Sequence, residues 1–176
     1  MKLKSMAIAF GVMSMMGLGQ AQAKSPADLN DLEIAHAAYT ADNIDIRYAH
    51  LALAISDNPQ VREFAQTMIR DHTAVNEAAL ALLKKLGVQP MGNFLSHQLM
   101  EGADKLIDEM SQLRGPAFDK RYAENELAYH QAVNQIVAND FIPNIENGEV
   151  KALFEEGLKI FRTHENHAQM MVSALK

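Results

Sequence analysis

The chain has 176 residues, with 22 acidic against 16 basic side chains and a net charge of -6 at pH 7. This length suits one domain with a real hydrophobic core, and an acidic chain without a basic face argues against nucleic acid or anionic lipid as a partner. The absence of cysteine excludes disulfides, thiolate metal sites, iron–sulfur clusters and covalent c-type haem.

The first 23 residues have the pattern of a secretory signal peptide. Lys2 and Lys4 form a positive region, and the apolar run from Met6 to Leu18 ends shortly before a small-x-small cleavage site at Ala23. The run is too short to span a bilayer as a helix, although an uncleaved anchor is the alternative. We therefore expect a periplasmic protein whose mature domain, residues 24–176, contains no transmembrane segment. The oligomeric state stays open, a homo-oligomer included.

Apolar residues then recur at three- and four-residue spacing over four long stretches, each typical of an amphipathic helix. No strand-like alternation of convincing length interrupts them. The predicted helices are Pro26 to about Ile55, Pro59 to about Leu86, Pro116 to about Asn139, and Glu149 to Leu175. A weaker stretch from Ser96 to about Leu113, interrupted by Gly102, indicates a crossover or partly irregular segment, and residues 140–148 indicate a loop. The sequence predicts an all-α bundle of four long helices with an extra short helical crossover segment.

Several metal-capable side chains fall on or beside the apolar stripes of these helices. Each of the last three long helices places a histidine there, the first helix supplies an aspartate, and the third adds two carboxylates on the face of its histidine. The candidate metal ligands are His72, His130, His164, Asp45, Glu126 and Asp119. Bundles build metal sites from such inward groups because rigid helices hold ligands at fixed spacing in a dry interior.

Imidazole and carboxylate without thiolate suit iron, manganese, zinc or copper, and the sequence does not choose among them. A diiron site of the usual kind uses Glu-x-x-His on two helices. None of the three inward histidines has a glutamate three residues before it, and the nearest feature is Glu126 four residues before His130. Two alternatives therefore stay open beside simple metal binding. One is a metal-free structural or stress-associated interaction protein with a hydrogen-bonded polar network, and the other is a dinuclear-metal oxidase or peroxide-handling enzyme.

Two segments, VREFAQTMIRDHTAVN and GPAFDKRYAENELAYHQAV, followed by a late histidine on the last helix, resemble the domain of unknown function 4142 family. The resemblance covers Asp31 to Leu175 and implies a ferritin-like bundle in an exported bacterial protein, with no assigned activity. The chain departs from the family in two places. Asp45 stands where a glutamate is usual, and the last helix lacks the usual Leu-Pro before its histidine. His167 is therefore an alternative to His164 as the inward residue.

Overall fold

The computed structural model describes residues 24–175, so the predicted signal peptide lies outside the described residues. These residues fold into helices, and none of them forms a strand. The helices are α1 (Asp31–Ile55), α2 (Pro59–Leu86), α3 (Phe94–Ser111), α4 (Gly115–Ile136), the short α5 (Ile142–Asn144) and α6 (Gly148–Ala174). The all-α class and the four long helices are confirmed, and the arrangement fits a ferritin-like bundle.

The first long helix starts five residues later than the sequence predicts. Pro26–Asp28 forms only a 3-10 turn, at which Ser25 donates hydrogen bonds from its amide and its hydroxyl to the Asp28 carboxylate. Leu29 then returns to extended backbone, and Asn30 caps α1 by accepting bonds from the amides of Leu32 and Glu33. A second capping signal follows the first so closely that the chain restarts its helix there.

Helices α1 and α2 form a tight hairpin. Ser56 ends α1, Asn58 caps α2 and Pro59 takes the first helical position, where its missing amide hydrogen costs nothing. Arg62 donates to the carbonyls of Leu53 and Ser56 and so satisfies the end of α1. Residues equally far from this turn lie beside each other, which brings the middle of α2 against the middle of α1.

The predicted extra helical segment is present as α3, a continuous helix of 18 residues, so of the two alternatives the partly irregular one does not apply. Asn93 caps it, and Ala103 and Met110 are buried in the core. Gly102 is exposed, and a Cβ there would meet no neighbouring atom. The glycine therefore weakens the helix without breaking it, since packing of the apolar face outweighs local propensity.

The predicted loop at residues 140–148 is also largely helical. After α4 the chain makes a π turn, Val137–Phe141, and then α5, before Asn147 caps α6. Val137 and Phe141 are buried. Apolar packing therefore stabilises a helical conformation here, where the sequence indicated a loop.

The core forms two clusters, one at each end of the bundle. The first includes Phe64, Met68 and Phe118, and the second includes Ile34 and Leu158. The candidate ligands of α2 and α6 lie between the two clusters along their helices. None of the described helices combines the length and the apolar composition that crossing a membrane requires.

Candidate metal centre

Three histidines from three helices meet in the middle of the bundle. His72 comes from α2, His130 from α4 and His164 from α6, and all three are buried. Their ring centroids lie 5.3 to 5.8 Å apart. One ring nitrogen from each lies within 4.8 Å of one from each of the others, which is close enough for all three to hold a single ion.

Two of these imidazoles use one nitrogen for a hydrogen bond and keep the other free. His72 donates from Nδ1 to the Asp42 carboxylate at 2.8 Å. His130 donates from Nδ1 to the backbone carbonyl of Glu126 at 2.9 Å. The Nε2 atoms of both rings have no hydrogen-bond partner in the described part of the chain. A bond at one nitrogen leaves the lone pair on the other, which is how proteins orient metal-binding histidines.

The third imidazole also has one bonded and one free nitrogen, but here Nε2 makes the hydrogen bond and Nδ1 is free. His164 Nε2 lies 3.0 Å from Asp71 Oδ2, and Asp71 is itself held by two bonds from Arg70. Its Nδ1 is buried and has no partner among residues 24–175. Asp71 is 25% exposed, so this pair reaches from the centre to the surface.

Two carboxylates complete the centre. Asp45 and Glu126 are fully buried, and neither oxygen of either side chain has a hydrogen-bond partner among the described residues. Asp45 Oδ2 lies 3.3 Å from the Nε2 atoms of both His72 and His130. Asp45, Glu126 and His130 also each place one ligand atom within 4.8 Å of the others. Asp45 therefore joins the two groups, despite being one carbon shorter than glutamate.

The charges of these groups are strongly coupled. Burial works to lower the pKa of His72, but the carboxylates of Asp45 and Asp42 outweigh it and raise that pKa well above 6.5. Burial works to raise the pKa of Asp45, and the nearby imidazoles of His72 and His130 bring it below its usual range. The pKa of Glu126 is raised well above 4.5 by burial and by the charge of Asp45. Without a bound ion, the protonated form is therefore favoured at His72 and at Glu126, and the ionised form is favoured at Asp45.

The pKa values of the other two histidines are shifted mainly by burial. Loss of water lowers the pKa of His130, with Asp45 opposing the shift. It lowers the pKa of His164 to about 4, although the bond to Asp71 opposes it. Both rings are therefore neutral near pH 7, which is the form that binds a metal.

Aromatic rings wall the centre. Phe161 stacks on His72 with ring centroids 4.8 Å apart and planes 10° from parallel. Phe64 lies edge-on to His130 at 6.5 Å and to Tyr122 at 6.3 Å. These rings and the burial of the candidate ligands place the site in a low-dielectric environment, where electrostatic interactions are weakly screened.

Asp119, predicted as a sixth ligand, is placed elsewhere. Its carboxylate accepts a 2.5 Å bond from the Ser56 hydroxyl at the α1–α2 turn, and it belongs to neither group of candidate ligands. On α6 the inward residue is His164, since His167 is exposed. The structure thus resolves the choice between these two histidines.

Asp42 is the residue of this candidate centre that sequence reasoning missed. It is 6% exposed and lies three residues before Asp45 on the same face of α1, a spacing that could have indicated it. A Glu-x-x-His pattern does occur on α1, at Glu33 and His36. However, Glu33 caps its own helix through the Asn30 amide, so this pair supplies no ligand.

No curated protein and no solved structure matches this chain. A family model matches residues 17–171, which is most of the chain. That model is described as a domain of unknown function, DUF4142, and the chain belongs to this family.

Proposed function

We propose that this protein binds one transition-metal ion between α1, α2, α4 and α6. The observation that carries the proposal is the set of buried polar atoms without partners. Both oxygens of Asp45 and of Glu126, and one nitrogen of each of the three histidines, are buried and have no hydrogen-bond partner among the described residues. A buried polar atom left without a partner costs about 1–3 kcal/mol, which is large against the roughly 5–15 kcal/mol that stabilises a typical domain. A cation bound among them would offset that cost.

The donor geometry favours a single ion. Bonds of about 2.1 Å place neighbouring ligand atoms roughly 3.0 Å apart at an octahedral ion and 3.4 Å apart at a tetrahedral one. The two Asp45 distances of 3.3 Å to His72 and His130 fall in that range. His130 belongs to both groups of candidate ligands and has only one free nitrogen, which two ions could not share.

The donor set also narrows the class of metal. Three imidazoles and two carboxylates without sulfur suit iron, manganese, zinc or copper. Each of the two groups of candidate ligands contains three side chains, so these donors do not choose among the four metals. The three rings are oriented by hydrogen bonds to Asp42, to the Glu126 carbonyl and to Asp71. Hydrogen-bond partners that orient ligands in this way raise the affinity for a metal.

Thermal unfolding of stripped and metal-titrated protein tests the proposal. Iron(II), manganese, zinc and copper are each added at pH 7 to wild type, His72→Ala and His130→Ala. His97→Ala, an exposed histidine on α3, is the matched control. Wild type and control should gain about 2.7 kcal/mol when one of these ions is free at a hundred times its dissociation constant, and the two site variants should lose most of that gain.

The same measurements can also refute the metal proposal. If wild type responds to none of the four ions, and protein purified without a histidine tag contains no stoichiometric metal, the metal proposal fails. The alternative, a metal-free structural or stress-associated interaction protein, is then the better description.

We further propose that the protein acts in the periplasm. The support is the leader pattern of Lys2, Lys4 and the Ala23 cleavage site. Intact mass of protein from a periplasmic fraction should correspond to residues 24–176. A full-length cytoplasmic species as the main product would refute this.

A further inference from the structure

An apolar cavity of about 60 Å³ lies beside the candidate metal centre. Its wall is formed mainly by aliphatic and aromatic side chains of α1, α2, α3, α4 and α6. They include Val75, Leu82, Leu99, Val133 and Phe154. An apolar cavity of about 150 Å³ in another protein stays dry and takes up benzene or xenon, so this smaller one has room for a molecule of a few atoms.

The cavity adjoins the centre through shared walls. Asp42 and Phe161 line the cavity, and both also line the narrow cleft that touches Asp45, His72 and His130. Asp42 is hydrogen-bonded to His72, and Phe161 is stacked on the same ring. A molecule in the cavity would therefore lie one side chain away from the candidate ligands.

Small residues leave this space open where larger ones would fill it. Ala37, Ala38, Ala79 and Gly157 all line it. A Cβ at Gly157 would meet the Phe161 ring at an ordinary contact distance of 3.7 Å, so the backbone does not require glycine there. Protein interiors are close-packed, and voids in them cost stability.

The π turn forms part of the same wall, through Val137 and Phe141. Single π turns within helices occur frequently at functional sites. Here the turn follows α4 directly after the segment that carries Glu126 and His130. An irregular turn and a packing void therefore coincide beside the centre.

We propose that this cavity is a binding site for a small apolar molecule of the size and polarity of dioxygen. Use of that molecule at a metal rests on the function proposed above, whereas occupancy of the cavity does not. The competing occupant is water held by Asn76, which also lines the cavity and whose Oδ1 has no hydrogen-bond partner among the described residues. The predominantly apolar wall favours the apolar guest.

The test uses metal-stripped full-length mature protein, so that it is independent of the metal proposal. Xenon is titrated while methyl signals are followed by NMR, and dissolved dioxygen is then used as a paramagnetic probe. The methyl groups of Val75 and Val133 should show saturable xenon shifts and selective relaxation by dioxygen. Ala79→Leu, which enlarges a lining residue of α2, should abolish both effects, whereas Ala78→Leu at the exposed neighbouring position should keep them.

Ala37→Val is a milder filling variant on α1 and should weaken both effects if Ala79→Leu does not fold. Three outcomes would overturn the proposal. Wild type could show no saturable effect at these methyl groups, both filling variants could retain the wild-type effect, or water-exchange spectra could show ordered water in the cavity that neither gas displaces.

Discussion

His164 offers a quantitative test of the burial of the centre. Its ring is 2% exposed, and loss of water lowers its pKa to about 4, against an unperturbed value of 6.5. Between these two pH values the unfolded chain binds a proton at this residue and the folded chain does not. The free energy of unfolding must therefore fall as the pH is lowered through this window.

The size of the effect follows from the shift. A difference of about 2.5 pKa units, at 1.36 kcal/mol each, corresponds to about 3 kcal/mol, present in full above pH 6.5 and lost by pH 4. At pH 4.5 the loss due to His164 alone should be about 2.5 kcal/mol. His72 has a raised pKa and contributes with the opposite sign, because its stabilisation is present below pH 6.5 and is lost as the pH rises through its folded value.

A comparison of variants separates these contributions. Urea unfolding of metal-stripped wild type, His164→Asn and the exposed control His167→Asn is measured at pH 7.5 and pH 4.5. Wild type and His167→Asn should lose about 2.5 kcal/mol more than His164→Asn on acidification. If all three proteins lose the same amount, the ring of His164 is solvated and the buried geometry is wrong.

Three further predictions follow from the same contacts. Asp71→Asn should weaken metal affinity about 10- to 100-fold in a competition titration, because it removes the charged partner of His164. Metal binding should release protons, because the pKa values of His72 and Glu126 are raised and ligands must be deprotonated. Calorimetry in buffers of different ionisation enthalpy measures this release, and no release would contradict the direction of these shifts. Phe64→Ala should cost about 3–5 kcal/mol in urea unfolding, since it leaves a cavity beside Tyr122, and a loss under about 1 kcal/mol would show that Phe64 does not pack the core.

Periodicity predicted the long helices because each must bury one face, and that requirement appears in the spacing of apolar residues. It also indicated α3 but not its regularity, because Gly102 suggested an interruption that tertiary packing overrides. Spacing along one helix was also sufficient to propose His130 and Glu126 together. It could not exclude Asp119, two turns earlier on that helix, because only the α1–α2 turn supplies the Ser56 hydroxyl that engages this carboxylate.

The metal site and the metal-free polar network use the same set of side chains. The side chains bind a metal ion in the first and protons in the second. Without an ion, the raised pKa values of His72 and Glu126 favour a proton at each side chain, which reduces the negative charge of the buried carboxylates. A bound cation would bring positive charge to the same carboxylates and use the same lone pairs. Both states therefore need the same fold and bury the same residues, and loss of stability in a variant cannot distinguish them. Competition between protons and metal can, because only a metal site exchanges one for the other.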